Sequence, residues 1–122
     1  MNIPTITEVA GKDKRGNFYI VTLPNGIKGN LIFTYKGYYR GGHSHNVDES
    51  TMVLSGQLKY ILPYEEKILN PGDIQHNKAG EVHLGYFMED TWILDWQINP
   101  NNIEIITTNY PPLRKFVDEQ MK

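Results

Sequence analysis

The chain has 122 residues, no cysteine, and 12 basic against 14 acidic side chains, for a formal net charge of −2. That length suits one domain burying roughly two thirds of its unfolded surface, and the missing cysteines exclude disulfides, thiolate metal ligands and thiol nucleophiles. With no basic face for phosphates, no apolar run longer than residues 18–21 (FYIV) to enter a bilayer and no apolar h-region near the N-terminus, the expectation is a cytoplasmic domain without nucleic-acid or membrane partners.

In chain order the sequence predicts short strands cut by turns, beginning at about residue 15. Residues 17–26 (NFYIVTLPNG) are β-branched and aromatic and stop at Pro24-Asn25-Gly26, a turn signal. Residues 27–37 follow as a second strand, and 50–56 (STMVLSG) as a third closed by Gly56. Residues 57–63 (QLKYILP) alternate with period two, the mark of a half-buried strand. Residues 67–77 place the turn Asn70-Pro71-Gly72-Asp73 between two strand-like pieces. Residues 82–88 and 91–98 are strands joined at Glu89-Asp90, and 101–108 form a weaker candidate.

Only the tail is helical in pattern. Pro111 and Pro112 suit a first helical turn, and Leu113, Phe116, Val117 and Met121 make an i, i+3, i+4, i+8 stripe that should pack back on the body. The series predicts an all-β sandwich or small barrel with a short C-terminal α-helix. The expected organisation is a single domain over residues 1–122, with N-terminal strands at about 15–36, a core at 37–96, and a last strand and helix at 101–121.

Residues 37–49 read GYYRGGHSHNVDE and hold two of the four histidines. In an extended strand His43 and His45 project to the same side, roughly 7 Å apart. Glu49 follows after a turn-like Asn46-Val47-Asp48, so an antiparallel return would bring its carboxylate beside the pair. Two nitrogens and one oxygen on one face suit Fe, Mn, Ni or Zn. A His-x-His pair alone is common on surfaces and in satisfied cores; the rest of the pattern decides.

From Gly37, five residues precede His43; then come His45, three residues, Glu49, six residues and Gly56. This spacing resembles the first signature motif of the cupin superfamily at every position. Gly72, Gly80 and His83 match the glycines and the histidine of the second motif, while Lys78 replaces its proline and Phe87 its asparagine. Fifteen residues separate Gly56 from Gly72, like the inter-motif hairpin of small single-domain cupins. The resemblance spans residues 37–96.

The resemblance implies a small double-stranded β-helix, or jelly-roll, barrel in which His43, His45, Glu49 and His83 ligate a divalent transition metal, Fe, Mn, Ni or Zn. It implies a metalloenzyme of isomerase or dioxygenase type acting on a small polar molecule such as a sugar, sugar acid or oxo acid, with Glu49 as a mobile base. Two alternatives stand beside it. YYRGGHSH is similar to a stretch of cupin-like ketoisomerases and epimerases that modify sugar nucleotides without metal, where Arg40 would face the pyrophosphate. A non-catalytic ligand-binding barrel is the third.

Gly41 and Gly42 permit a bulge ahead of the ligands. His76 is a candidate acid or base, its alternative being a hydrogen-bonded histidine of the barrel wall; Asp48 and Asp73 read as turn residues. By strand parity Tyr39 and Phe87 share the ligand face, Arg40 stands at the pocket approach, and Tyr60, Trp92 and Trp96 are further candidates for its walls. A homodimer is expected, because the first strands carry apolar residues on both faces.

Overall fold

The computed structural model describes residues 5–122, with side chains from residue 10 onward. Its strands are β1 (Thr5–Asp13), β2 (Gly16–Thr22), β3 (Lys28–Thr34), β4 (Tyr39–His45), β5 (Asp48–Ser55), β6 (Leu58–Ile61), β7 (Glu66–Leu69), β8 (Ile74–Asn77), β9 (His83–Phe87), β10 (Thr91–Ile98) and β11 (Thr107–Asn109), followed by helix α1 (Pro111–Gln120). They form a six-stranded sheet in the order β1-β2-β3-β10-β5-β8 and a five-stranded sheet in the order β11-β4-β9-β6-β7. The pairings are antiparallel, and the two sheets face each other as a jelly-roll sandwich without closing into one ring.

Alternation along the strands builds the core. Ile32, Val53 and Ile93 from the larger sheet meet Leu58, Tyr60, Leu69 and Phe87 from the smaller one. Val53, Leu58 and Phe87 are at most 1% exposed, and burying each such side chain contributes roughly 1.5–3 kcal/mol. Side chains of opposite parity on β10, Trp92, Leu94 and Trp96, are left half-buried on the outside of the larger sheet. There Trp92 packs on Phe33 at 5.1 Å and Tyr19 at 6.1 Å between ring centroids. The two tryptophans are therefore not pocket walls.

Two expectations change. β1 precedes the predicted start of the strands: Glu8, Gly11, Lys12 and Asp13 break its apolar pattern, and its pairing with β2 passes two register shifts. Residues 101–106 are exposed and unpaired as strand; only Thr107–Asn109 adds to an edge, beside β4. The turn Asn70-Pro71-Gly72-Asp73 stands between two strands, carrying the chain from β7 in one sheet to β8 in the other.

α1 starts with its two prolines at the first helical positions and has no side-chain cap. Val117 is fully buried, while Phe116 and Met121 of the predicted stripe stay 38% and 36% exposed. Gln120 fastens the far end, accepting from the Tyr39 N–H at 2.7 Å and donating to the Gly37 carbonyl at 2.8 Å. None of the described helices is long and apolar enough to cross a membrane.

Candidate metal centre

A bulge in β4 aims the site. Gly41 and Gly42 take φ values of 97° and 75°, a left-handed region that disfavours side chains. Across them the pairing slips from Gly41 opposite Leu84 to His43 opposite His83. One inserted residue inverts which face each side chain takes. After the bulge His43 and His45 face the space between the sheets; before it, Arg40 does. Tyr39 is turned outward onto Tyr86 and Phe116, at 4.7 and 5.3 Å between ring centroids. Counting parity straight through the bulge misplaces Tyr39, which is not in the cavity wall.

The cavity measures about 270 Å³, and its lining includes His43, His45, Glu49 and His83 together with Arg40, Tyr60 and Phe87. One nitrogen from each of His43, His45 and His83 lies within 4.8 Å of the others. The ring centroids of His43 and His45 are 4.6 Å apart, closer than strand spacing alone gives, because the rings lean together. His83 stands 5.1 Å from His43 and 5.4 Å from His45. Glu49, only 7% exposed, sets one carboxyl oxygen 3.3 Å from His45 Nε2 and the other 3.5 Å from His83 Nε2.

Outer contacts hold the rings. His83 Nδ1 donates to the Glu81 carbonyl at 3.3 Å; a carbonyl only accepts, so this tautomer leaves Nε2 with its lone pair toward Glu49. His45 Nδ1 meets Thr107 Oγ1 at 2.9 Å. Tyr60 stacks 5.9 Å from His83 at an interplanar angle of 15°, its hydroxyl accepting from the Asn77 amide. Gln97, opposite Glu49 in register, donates to Glu49 Oε2 at 3.4 Å.

Burial sets the protonation states. It pulls His43 down to about 3, helped by His83, His45 and Arg114, takes His83 down to about 4, and lowers His45. Burial, then the neighbouring Asp95, raises Glu49 to about 8. Burial thus favours bare imidazoles and the protonated form of Glu49 in the metal-free chain. Neutral imidazoles are the form that ligates, and a cation among them would favour the carboxylate. The donor set fits a first-row divalent ion.

No family model matches the sequence, and no curated protein matches it. Solved structures do. KdgF from a Halomonas species is 19% identical, with 74% of this chain and 85% of that one covered at a TM-score of 0.64. An RmlC-like cupin from Shewanella frigidimarina is 16% identical over 79% of this chain and 86% of that one, at a TM-score of 0.67. A variant oxalate decarboxylase from Bacillus subtilis is 17% identical at a TM-score of 0.66 over 79% of this chain, which spans 29% of that enzyme.

The fold is that of a cupin. Within this cupin barrel the three histidines come from the paired strands β4 and β9 of one sheet, and Glu49 from β5 of the other. His76 does not join them. It lies exposed on β8, on the face opposite the cavity, where its Nδ1 meets Ser50 Oγ at 2.6 Å. β8 pairs with β5 so that His76 stands opposite Ser50 and Asn77 opposite Glu49; the one-residue offset decides which of them turns inward.

Several cavity residues escape the sequence motifs. Asp95 and Gln97 share the inward parity of Ile93 on β10, and two polar residues in phase with a core position were the available signal. Asp95 is raised to about 6 by burial and accepts from the Asn30 amide at 3.0 Å. Arg15, Arg114 and Thr107 arrive from distant turns, helix and edge strand, and nothing local marked them.

Proposed function

We propose that this cupin is a metalloenzyme, of isomerase or dioxygenase type, acting on a small polar molecule such as a sugar, sugar acid or oxo acid. His43, His45, Glu49 and His83 hold one divalent transition ion, Fe, Mn, Ni or Zn. The observation that carries this reading is the convergence of three neutral imidazole nitrogens within 4.8 Å in the wall of a cavity. When bound, the ion supplies Lewis-acid polarisation of a substrate oxygen, or redox chemistry if it is Fe or Mn.

The chain does the rest. Phe87, Leu58 and Ile93 supply the apolar part of the cavity wall. The Glu81 carbonyl fixes the tautomer of His83, and the Thr107 hydroxyl holds the ring of His45 in place. Glu49, held by Gln97, is the carboxyl placed to exchange a proton with a substrate lying over the cluster. The cavity volume and the fourth side chain, Glu49, favour this over a metal-free sugar-nucleotide enzyme, whose substrate is far bulkier. A cysteine-free chain suits a reducing cytoplasm.

The aromatic outer face of the larger sheet, Tyr19, Phe33 and Trp92, with Leu54 and Ile74 at 42% and 45% exposure, supports a homodimer covering it. Light scattering that gives a monomer at micromolar concentration would contradict that part.

Metal analysis of the purified protein beside His43→Ala tests the main reading. The expected result is stoichiometric metal in the parent, none in the variant, and turnover of a member of an oxo-acid, sugar and diketone panel. Parent protein that takes up none of Fe(II), Mn(II), Ni(II) or Zn(II) would sink it; metal with no turnover would leave a binding protein.

A further inference from the structure

We propose that Arg40 reads a carboxylate, so that the ligand of this cavity is a small organic acid and not a neutral sugar or simple carbonyl compound. The assignment rests on the histidine-lined cavity being the ligand site. Three arginines, Arg15, Arg40 and Arg114, line it, and they differ in what their forks already hold. Arg15 is committed to Asp13 at 2.9 Å and to the Tyr39 carbonyl at 3.2 Å. Arg114 is committed to Asp118 at 3.1 Å and to the Gly41 carbonyl at 3.0 Å.

Among the described residues, Arg40 alone of the three has a guanidinium nitrogen, Nη2, that is buried without a protein partner. Its Nε donates to the buried Thr34 Oγ1 at 2.7 Å, and its Cζ lies 4.6 Å from the centre of the Phe18 ring. The plane of the fork is therefore fixed from two sides. Asp13 and Asp95, the acids whose charge it feels, are taken by Arg15 and by the Asn30 amide, and no ion pair joins either to Arg40 among the described residues. An unmet charged N–H in the wall of a cavity is the kind of group that native structures satisfy, and a planar fork matches a carboxylate.

Position adds the size of the ligand. Arg40 stands opposite Gly85 and His43 opposite His83, so on β9 the two rows are two residues, about 7 Å, apart. Gly85 puts no side chain between them; a Cβ there would meet Leu58 Cδ1 at 3.1 Å. A carboxylate on Arg40 leaves a hydroxyl or oxo group a few atoms away facing the histidines. The volume of about 270 Å³ lies below the range of drug-sized pockets and suits an acid of a few carbons.

Calorimetric titration of pyruvate, lactate and acetoacetate, each against its primary amide, tests this on protein supplied with metal and assayed for it. The acid of at least one pair should bind about tenfold or more tighter than its amide, as a charge-assisted fork implies. Arg40→Gln should abolish the difference and Arg40→Lys should restore part of it, with metal content unchanged. Should the variants misfold, the acid–amide comparison is made on parent protein stripped of metal by chelator. There the fork and not an ion must prefer the acid, and equal binding overturns the assignment. Acids and amides binding equally, or no acid binding at all, would overturn the assignment. A sample that holds no metal refutes the metal reading separately, because the acid–amide preference is read on that sample too.

Discussion

Gly42 on β4 is packed against the backbone of Arg114 on α1: a Cβ on the glycine would sit 2.6 Å from Arg114 Cα and 2.8 Å from its N. The helix seats on the bulge that aims His43, so one contact ties the C-terminal element to the site. Gly42→Ala combines a left-handed φ with a backbone clash and should destabilise by about 2–4 kcal/mol. Gly26→Ala, at φ 84° with nothing within 4 Å, carries the conformational term alone, about 1 kcal/mol. Urea denaturation of both compares them; equal losses would show that the helix does not bear on the bulge.

Thr107 should matter to the metal more than to the fold. It is exposed, and its hydroxyl meets His45 Nδ1 at 2.9 Å. Thr107→Val keeps the shape and removes the hydroxyl, and an outer-shell loss of this kind lowers metal affinity by roughly 10–100-fold. Competition against a chromophoric chelator reads the affinity while the unfolding temperature stays within a few degrees. Unchanged affinity would remove Thr107 from the site.

Tyr60 and Asn77 are coupled through the hydroxyl–amide bond, and Asn77 Oδ1 is already buried without a partner. Tyr60→Phe strands the amide N–H as well and should cost about 1–3 kcal/mol. In a double-mutant cycle with Asn77→Ala, the double variant should then lose less stability than the sum of the two single losses. Full additivity would mean that the bond contributes nothing.

Stability of the metal-free protein should fall on the alkaline side because of Glu49. Its folded pKa, about 8 against an ordinary 4.5, means that the folded chain keeps a proton which the unfolded chain releases in between. That contribution is fully present below about pH 4.5 and is lost as pH rises toward about 8. Glu49→Gln cannot ionise, so its stability relative to the parent should grow by roughly 1–3 kcal/mol from about pH 5 to about pH 8. Thermal unfolding across that range, with chelator present, checks it; a constant difference would place Glu49 outside the buried site.

What was legible in the sequence was local. His43 and His45 lie on one strand and Glu49 returns after a short turn, so spacing alone carried them to the same neighbourhood. His83 needed the second motif, since only pairing of β9 with β4 delivers it. Tyr39 was misread because a bulge, foreseen from Gly41 and Gly42, also reverses the parity that was counted through it. Of the two readings of His76 the structure gives the hydrogen-bonded one, a choice left open because the face taken by a four-residue strand depends on register with β5, which no local pattern fixes. Arg114 and Thr107 reach the site from the C-terminal helix and edge strand, contacts that exist only once the chain has folded.

Anomalous diffraction from crystals grown with Mn(II), Ni(II) or Zn(II) addresses the histidine cluster itself. One peak should lie about 2.0–2.2 Å from a ring nitrogen of His43, His45 and His83, with a Glu49 oxygen completing the set. A protein that crystallises with the metal at His76 or with no ordered peak between β4 and β9 would contradict the account at its centre.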